Sequence, residues 1–218
     1  MNKTKIEWCD RSWNPITGCL NNCQFPCYAR AFYHRFSWSF SPRFHPERLT
    51  EPMRLRQPAR IFVGSVSDLW GKGVEPCWRA EVFKVIEKCP MHTYIMLTKQ
   101  PHRIKNFEEI PERAWLGVSI TAQEDIWRAK HLKNFKGIKF ISFEPLLSPV
   151  DFQEPWLAGV NWVVIGGLTG TKRFIPPKEW VDGIIKEARN MGIPIFLKVN
   201  LHYPKMIQEF PLSIKKAR

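Results

Sequence analysis

IFVGSVSD, residues Ile61–Asp68, is the stretch that decides the fold. Its apolar run is short and continuous and stops at a Gly-Ser pair, which is typical of a strand buried on both faces and followed by a turn. Downstream, Pro76 can occupy the first turn of a helix, and Cys77–Lys88 has helical apolar spacing. A buried strand, a turn and a helix therefore form one unit.

The same unit recurs on both sides of this stretch. Apolar strands are predicted at a segment around Trp13 and then at Thr93–Leu97, Trp115–Ile120, Lys139–Glu144, Trp162–Gly167 and Pro194–Val199. Helices are predicted at Tyr28–Phe36, Ile104–Phe107, Thr121–Asn134 (with Thr121 and Glu124 as a capping box) and Lys178–Met191. Apolar strands that alternate with amphipathic helices indicate a parallel sheet covered by helices. We expect an α/β fold, a partial or open (β/α) TIM-like barrel of about six to seven parallel strands.

Polar residues follow nearly every predicted strand. They are Ser65–Asp68, Thr98, Lys99, Ser119, Glu144, Gly166, Gly167 and Lys198–Asn200. In a barrel these residues converge on one rim, whereas in the rival doubly wound sheet they would spread along an edge. Charged groups there are not expected in the core, because burying them unpaired is costly. Lys99 and Glu144 are therefore candidate catalytic residues, the alternative being a Glu144–lysine ion pair that stabilises the rim.

Composition limits the class of protein. Residues 1–218 suit a single domain, and 44% hydrophobic residues can form a sizeable core. We find no run of about 18 apolar residues and no apolar signal stretch in Met1–Trp8, so we expect a cytoplasmic protein without a membrane span. The net charge of +13 favours a polyanion such as nucleic acid, although a merely well-solvated basic surface would have the same composition.

A basic, aromatic-rich insertion is predicted at about residues 37–60. Between Arg30 and Arg60 the chain has seven arginines interleaved with aromatic residues, opposed only by Glu47 and Glu51. Arginine with exposed rings is what single-stranded nucleic acid requires, with charge for phosphates and ring faces for bases. The alternative is that the rings pack beneath a long loop.

Three of the six cysteines, Cys19, Cys23 and Cys27, form a C-x3-C-x3-C pattern. Thiolates are soft ligands, and clustered cysteines in a reducing compartment are more often metal ligands than disulfides. Structural zinc usually takes four ligands in paired C-x2-C motifs, whereas three local cysteines suit a 4Fe-4S cluster with one open iron. The alternative is a zinc-stabilised basic nucleic-acid-binding protein without catalysis, with Cys9 or His34 as the fourth ligand.

The cysteine segment resembles the cluster loop of radical S-adenosylmethionine (SAM) enzymes, whose usual spacing is C-x3-C-x2-C with an aromatic residue before the third cysteine. Phe25 is that aromatic residue here, and Pro26 adds one position. More widely, the chain resembles a phage-associated family of three-Cys-motif, radical SAM-like proteins. The segments that carry this resemblance are 5–8, 13–15, 17–19, 27–30, 44–49, 62–69, 97–99, 142–147 and 162–167.

The resemblance implies a 4Fe-4S cluster on the three cysteines, and SAM bound at the open iron and cleaved to a 5′-deoxyadenosyl radical. The radical SAM chemistry implies a low-potential electron donor such as flavodoxin or ferredoxin. The resemblance indicates cofactors better than substrate, and the nucleic acid or nucleotide-like substrate is expected from the net charge and the arginine- and aromatic-rich segment. By order along the chain, Gly64, Ser65 and Asp68 would contact the SAM amino group, Ser119 the ribose or carboxylate, and Gly166 and Gly167 the adenine. Turn and helix-cap roles remain alternatives for these residues, and a degenerate barrel that serves a partner protein is a third possibility.

Overall fold

The computed structural model describes residues 1–151, 159–170 and 172–212. Ten strands lie in the described chain: β1 Asn2–Lys3, β2 Arg11–Trp13, β3 Ile16–Thr17, β4 Arg43–Phe44, β5 Arg60–Val63, β6 Thr93–Thr98, β7 Trp115–Ser119, β8 Lys139–Phe143, β9 Trp162–Ile165 and β10 Ile195–Leu197. The α-helices are α1 Tyr28–Arg35, α2 Pro76–Lys88 and α3 Lys178–Asn190. Shorter 3-10 turns are Pro46–Arg48, Pro52–Arg54, Pro101–Arg103 and Val199–Leu201, and a longer 3-10 helix is Gln123–Asn134.

The main sheet has eight strands in the order β1-β2-β5-β6-β7-β8-β9-β10. From β2 to β10 every neighbouring pair is parallel, and β1 pairs antiparallel with β2. Seven parallel strands in an α/β arrangement confirm the predicted fold class. The barrel is open, because β1 and β10 are the two edges of the sheet.

Two apolar clusters lie on the two faces of the sheet. Ile61 and Val63 of β5 pack in the cluster that contains the apolar faces of α2 and α3, while Phe62 between them belongs to a second cluster without helical residues. Successive side chains of a strand point to opposite faces, so this second cluster fills the concave side. Both faces are buried, which explains why the strands are continuously apolar in sequence.

Trp162 is the centre of the concave cluster. Its ring lies 5.4–6.3 Å, centroid to centroid, from five other aromatic rings, those of Trp8, Trp115, Phe140, Phe196 and Phe210. Its indole N–H donates to the carbonyl oxygen of Glu209 at 2.8 Å. Together with Phe62, these rings fill the concave face from five strands and from both ends of the described chain.

Two segments cover the gap between the sheet edges. Residues 207–209 run beside β10, where Leu197 N donates to Ile207 O at 2.7 Å and Glu209 N donates to Ile195 O at 2.9 Å. From the other side, the Glu7 carboxylate accepts from Val199 N at 2.9 Å. The open barrel is therefore completed by hydrogen bonds from segments that are not strands of the sheet.

The predictions of short helices and helix caps were less accurate than those of the strands. The helix predicted at Ile104–Phe107 is wrong: a 3-10 turn covers Pro101–Arg103 instead, and Ile104 is extended with its side chain in the core. The predicted capping box is also wrong, because Thr121 donates from both its N–H and its hydroxyl to Asp125 rather than pairing with Glu124. Asp125 is fixed for this role by Arg128, whose guanidinium is 2.6 Å away.

The segment from 37 to 60 is tied to the chain before the cysteines. Its strand β4 pairs antiparallel with β3, with Ile16 opposite Phe44.

No helix among the described residues is long and apolar enough to cross a membrane.

Candidate functional site

A cavity of about 630 Å³ opens at the carboxyl ends of the parallel strands. In barrels this is the rim on which chemistry is built, and the volume is typical of a cofactor or ligand site. The residues predicted from sequence meet here almost completely. The cavity is lined by Cys19, Cys23, Cys27, Gly64, Ser65, Asp68, Lys99, Ser119, Glu144 and Gly167.

The cysteine loop leaves β3 through Gly18. This residue has φ +80°, and a Cβ atom there would lie 2.1 Å from the carbonyl oxygen of Ser41, so neither its conformation nor its surroundings accept a side chain. On either side of it, Gly18 N donates to Val66 O at 3.1 Å and Cys19 N donates to Phe40 O at 2.8 Å. The start of the loop is therefore fixed by the turn after β5 and by the segment before β4.

The three thiols are half-buried, and two of them accept hydrogen bonds from Asn21. Asn21 N lies 3.4 Å from Cys19 Sγ, and Asn21 Nδ2 lies 3.4 Å from Cys23 Sγ. Burial raises the pKa of Cys19 to about 11 and raises that of Cys23 as well. Thiols in such surroundings release their protons when a cation binds, and donors to sulfur are a recurring part of iron–sulfur sites.

Two metal centres are candidates for this set of ligands, a structural zinc ion and a 4Fe-4S cluster. Among the described residues, no group of three His, Cys, Asp or Glu side chains is arranged to hold a single metal ion. The three thiols line one cavity, and thiolates are the ligands that iron–sulfur clusters take, so the donor chemistry fits a cluster. Cys9, one possible zinc ligand, lies in the apolar cluster with Trp8 and Phe62, and burial raises its pKa to about 12.

Asp68 has its carboxylate fully engaged within the protein. Oδ1 accepts from the Thr98 hydroxyl at 2.8 Å and from Trp70 N at 3.0 Å, and Oδ2 accepts from Lys99 N at 2.9 Å. The residue is 5% exposed. Its side chain joins the turn after β5 to the end of β6 and so fixes the backbone that carries Lys99.

We expect Asp68→Asn to lower the free energy of unfolding by about 2 kcal/mol, because an amide has one acceptor oxygen and leaves a buried donor unpaired. Urea unfolding measures this change. Asp182→Asn is the matched control, since Asp182 also accepts side-chain hydrogen bonds but lies on the exposed face of α3. Equal effects of the two substitutions would contradict the role given to Asp68.

Lys99 lies between the cysteine loop and β7. Its ammonium donates to Ser119 Oγ at 3.1 Å and lies 5.7 Å from the centre of the Phe25 ring. Ser119 is fully buried beneath it. The charge of Lys99 also acts to lower the pKa of Cys23, against the larger effect of burial. A cation thus lies at the cavity wall next to the thiols.

Glu144 forms an ion pair with Lys198, the arrangement considered from sequence as the alternative to catalysis. Both side chains line the cavity. Gly166 is not among the described lining residues; a Cβ atom there would be 3.0 Å from Lys198 Cδ and 3.2 Å from Glu144 Cγ, so this glycine leaves room for the pair. Gly167 does line the cavity, and its N–H and carbonyl both bond to the Asn200 side chain.

Several residues that line or support the cavity were missed as site residues from sequence. The Tyr28 hydroxyl donates to the carbonyl oxygen of Ser65, and the Asn14 side chain exchanges hydrogen bonds of 3.0 and 3.1 Å with the Ser65 hydroxyl. Residues 4–8 also line the cavity. Segments 5–8, 13–15 and 27–30 carried the family resemblance and were the available signal. The contacts of Asn14 and of residues 4–8 with the cavity span distances that local spacing does not reveal.

The family model described as "Protein of unknown function (DUF5131)" matches residues 3–210. No curated protein matches the chain.

Similar solved structures share the fold. They include spore photoproduct lyase complexed with dinucleoside spore photoproduct, with a TM-score of 0.56, 12% identity and coverage of 76% of this chain and 57% of that chain. A mutant of that lyase with bound AdoMet and dinucleoside spore photoproduct has a TM-score of 0.59 and 13% identity, and the match covers 83% of this chain and 62% of that chain. Another mutant has a TM-score of 0.64 and 12% identity, with coverage of 90% of this chain and 79% of that chain. The chain therefore spans about three fifths of the length of the first two structures.

Proposed function

We propose that this chain, which belongs to the DUF5131 family, is a radical SAM-type enzyme that acts on nucleic acid or a nucleotide-like substrate. One observation carries the proposal: the three cysteine thiols line the same cavity as the polar residues at the carboxyl ends of the sheet. Soft thiolate ligands beside the polar residues of this rim suit a metal cluster next to an organic cofactor. The likeness in sequence motifs to the phage-associated three-Cys-motif family agrees with this proposal.

Cys19, Cys23 and Cys27 would hold the 4Fe-4S cluster. When bound, the cluster and SAM would supply the one-electron radical chemistry of this enzyme class. The amide groups of Asn21 would donate to the ligating sulfurs, which affects the reduction potential of such centres. A low-potential donor such as flavodoxin or ferredoxin would deliver the electron, and the cytoplasm is the proposed location.

The rim residues would bind SAM and substrate. We assign cofactor contacts to Gly64, Ser65, Ser119 and Gly167. Asp68 and Gly166 would act as positioning residues, since the first fixes the Lys99 backbone and the second makes room for the ion pair.

Lys99 and Glu144 remain the proposed catalytic residues. The Lys99 ammonium can hold a carboxylate or phosphate oxygen at the cavity wall. Glu144, held by Lys198, can accept a hydrogen bond from a hydroxyl or ring N–H of the substrate.

Structures of the same fold support the choice of ligands. One spore photoproduct lyase structure holds AdoMet and a dinucleoside spore photoproduct, which pairs this cofactor with a nucleotide-like molecule. The net charge of +13 is the independent argument for a polyanionic substrate.

The direct test is anaerobic reconstitution with iron and sulfide. We expect a brown protein with a broad visible absorbance band that forms 5′-deoxyadenosine from SAM when a reductant is added. Purification of a colourless protein with stoichiometric zinc and no SAM cleavage would support the zinc-stabilised nucleic-acid-binding alternative. An intact cluster without SAM cleavage would instead indicate a degenerate barrel that serves a partner protein.

A further inference from the structure

We propose that an aromatic ridge beside the cavity binds single-stranded nucleic acid by base stacking. The ridge consists of Phe32, Tyr33, Phe36, Trp38 and Phe40, on α1 and the chain that follows it. This inference rests on the proposed function in one respect, the identity of the substrate as nucleic acid. It adds the surface that receives the strand and the single-stranded form of the ligand.

The turn at the end of α1 builds the ridge. Ser37 N donates to His34 O and Trp38 N donates to Tyr33 O, both at 3.0 Å, which is the hydrogen-bond pattern of a Schellman motif. Ser37 has φ +55°, a left-handed conformation that a residue with a side chain adopts at a cost. The reversal brings Trp38 onto Phe36, with ring centroids 5.0 Å apart and planes at 27°.

The ridge is exposed where a ligand could stack. Phe32, Phe36 and Trp38 are 50%, 48% and 57% exposed, which is unusual for neighbouring large apolar side chains. The rings contact each other edge to face or stacked, so the whole group presents one preformed surface.

The ridge continues into the cavity. The Tyr33 and Phe40 rings lie 5.0 Å apart, and Phe40 is one of the lining residues. A strand stacked on Trp38 and Phe36 could therefore place a neighbouring nucleotide in the cavity.

Charge selects the class of ligand. The sequence has no aspartate or glutamate between Arg11 and Pro46, which includes the whole ridge and the cysteine loop. Arg30 lies 5.2 Å from the centre of the Phe40 ring, and Arg35 and Arg43 are exposed nearby along the chain. Cations without any neighbouring carboxylate in sequence, next to open ring faces, match phosphates and bases rather than an apolar protein surface. A single strand is required, since base faces in a duplex are stacked on one another.

The test measures fluorescence anisotropy of labelled oligothymidine with the whole protein, without SAM, alongside a labelled duplex of equal length. We expect the single strand to bind more tightly than the duplex. A double substitution of Phe36→Leu and Trp38→Leu keeps the apolar character but removes two ring faces. It should weaken oligothymidine binding about tenfold or more, while the dependence on salt stays close to that of the unaltered protein.

Three variants make the comparison specific. Trp38→Phe retains a ring and should bind nearly normally, and Arg35→Ala should weaken binding and flatten the salt dependence. Met191→Ala removes an exposed apolar side chain after α3 and should have no effect. If the double variant does not fold, Trp38→Leu alone carries the same expectation at a position that is 57% exposed.

Unchanged oligothymidine binding in the folded leucine variant, or tighter binding of the duplex, would overturn the inference. The inference would also be overturned if the leucine variant bound oligothymidine normally but no longer bound a partner protein that the unaltered chain binds. Ridge-dependent strand binding in a protein that never cleaves SAM would refute the proposed radical chemistry and uphold the inference, so the two failures are distinguishable.

Discussion

Replacing any one of Cys19, Cys23 and Cys27 by alanine is expected to abolish cluster binding and to reduce 5′-deoxyadenosine formation by more than about a hundredfold. A cubane with one open iron has no spare protein ligand, so each thiolate is indispensable. The three thiols line one cavity, and Asn21 donates to two of the sulfurs. Iron and sulfide content, visible absorbance and product formation measure the loss after reconstitution.

Two other cysteines supply matched controls. Cys77→Ala alters an exposed position on α2 and should leave cluster content unchanged. Cys9→Ala should change stability but not iron content, because Cys9 packs in the apolar concave cluster. If Cys9→Ala removed the metal as completely as the loop substitutions do, Cys9 would be a fourth ligand. That result would favour a structural zinc ion over the cluster.

Trp162→Ala is expected to lower the free energy of unfolding by about 3–5 kcal/mol, the usual cost of deleting a large buried aromatic side chain. The fully buried indole contacts five other rings, and its N–H bonds to the Glu209 carbonyl. Its removal leaves a cavity at the centre of the concave face and takes the indole donor away from the Glu209 carbonyl oxygen. Urea unfolding, followed by circular dichroism, gives the change.

The control for this substitution is Trp127→Ala, which removes an indole that is 38% exposed on the 3-10 helix after β7. Trp162→Phe should fall between the two, since it keeps a ring but loses the N–H donor. A loss below about 1 kcal/mol for Trp162→Ala would mean that the neighbouring rings close the space, contrary to the close packing expected of a protein interior.

The strands were predictable because both faces of the sheet are buried. Continuous apolar runs such as Ile61–Val63 that alternate with helices are typical of parallel strands buried on both faces. The polar residues after these runs were predictable for the same reason, since parallel strands bring their carboxyl ends to one rim. Glu144 and Lys99 thus line one cavity although they lie 45 positions apart in the sequence.

What could not be predicted depends on contacts between distant segments. Asp68 has the sequence context of a cofactor contact, but its acceptors are used by Thr98 and Lys99, a pairing that local spacing does not reveal. Trp8 and Phe210 lie outside every predicted strand, and the concave cluster that receives them forms only in three dimensions. Thr121 pairs with Asp125 instead of Glu124 because Arg128 holds the Asp125 carboxylate, and the position of Arg128 follows from packing.

The way the gap in the barrel is covered has a consequence for biosynthesis. Residues 207–210 complete the concave face, since Phe210 stacks on Trp162 and Ile207 bonds to β10. They leave the ribosome after every strand of the sheet, and domains generally fold as units during synthesis. A nascent chain that already contains Cys19, Cys23 and Cys27 therefore still lacks part of the concave face. Under the proposed function, a cluster would be inserted into a finished site only after residues 207–210 have been translated.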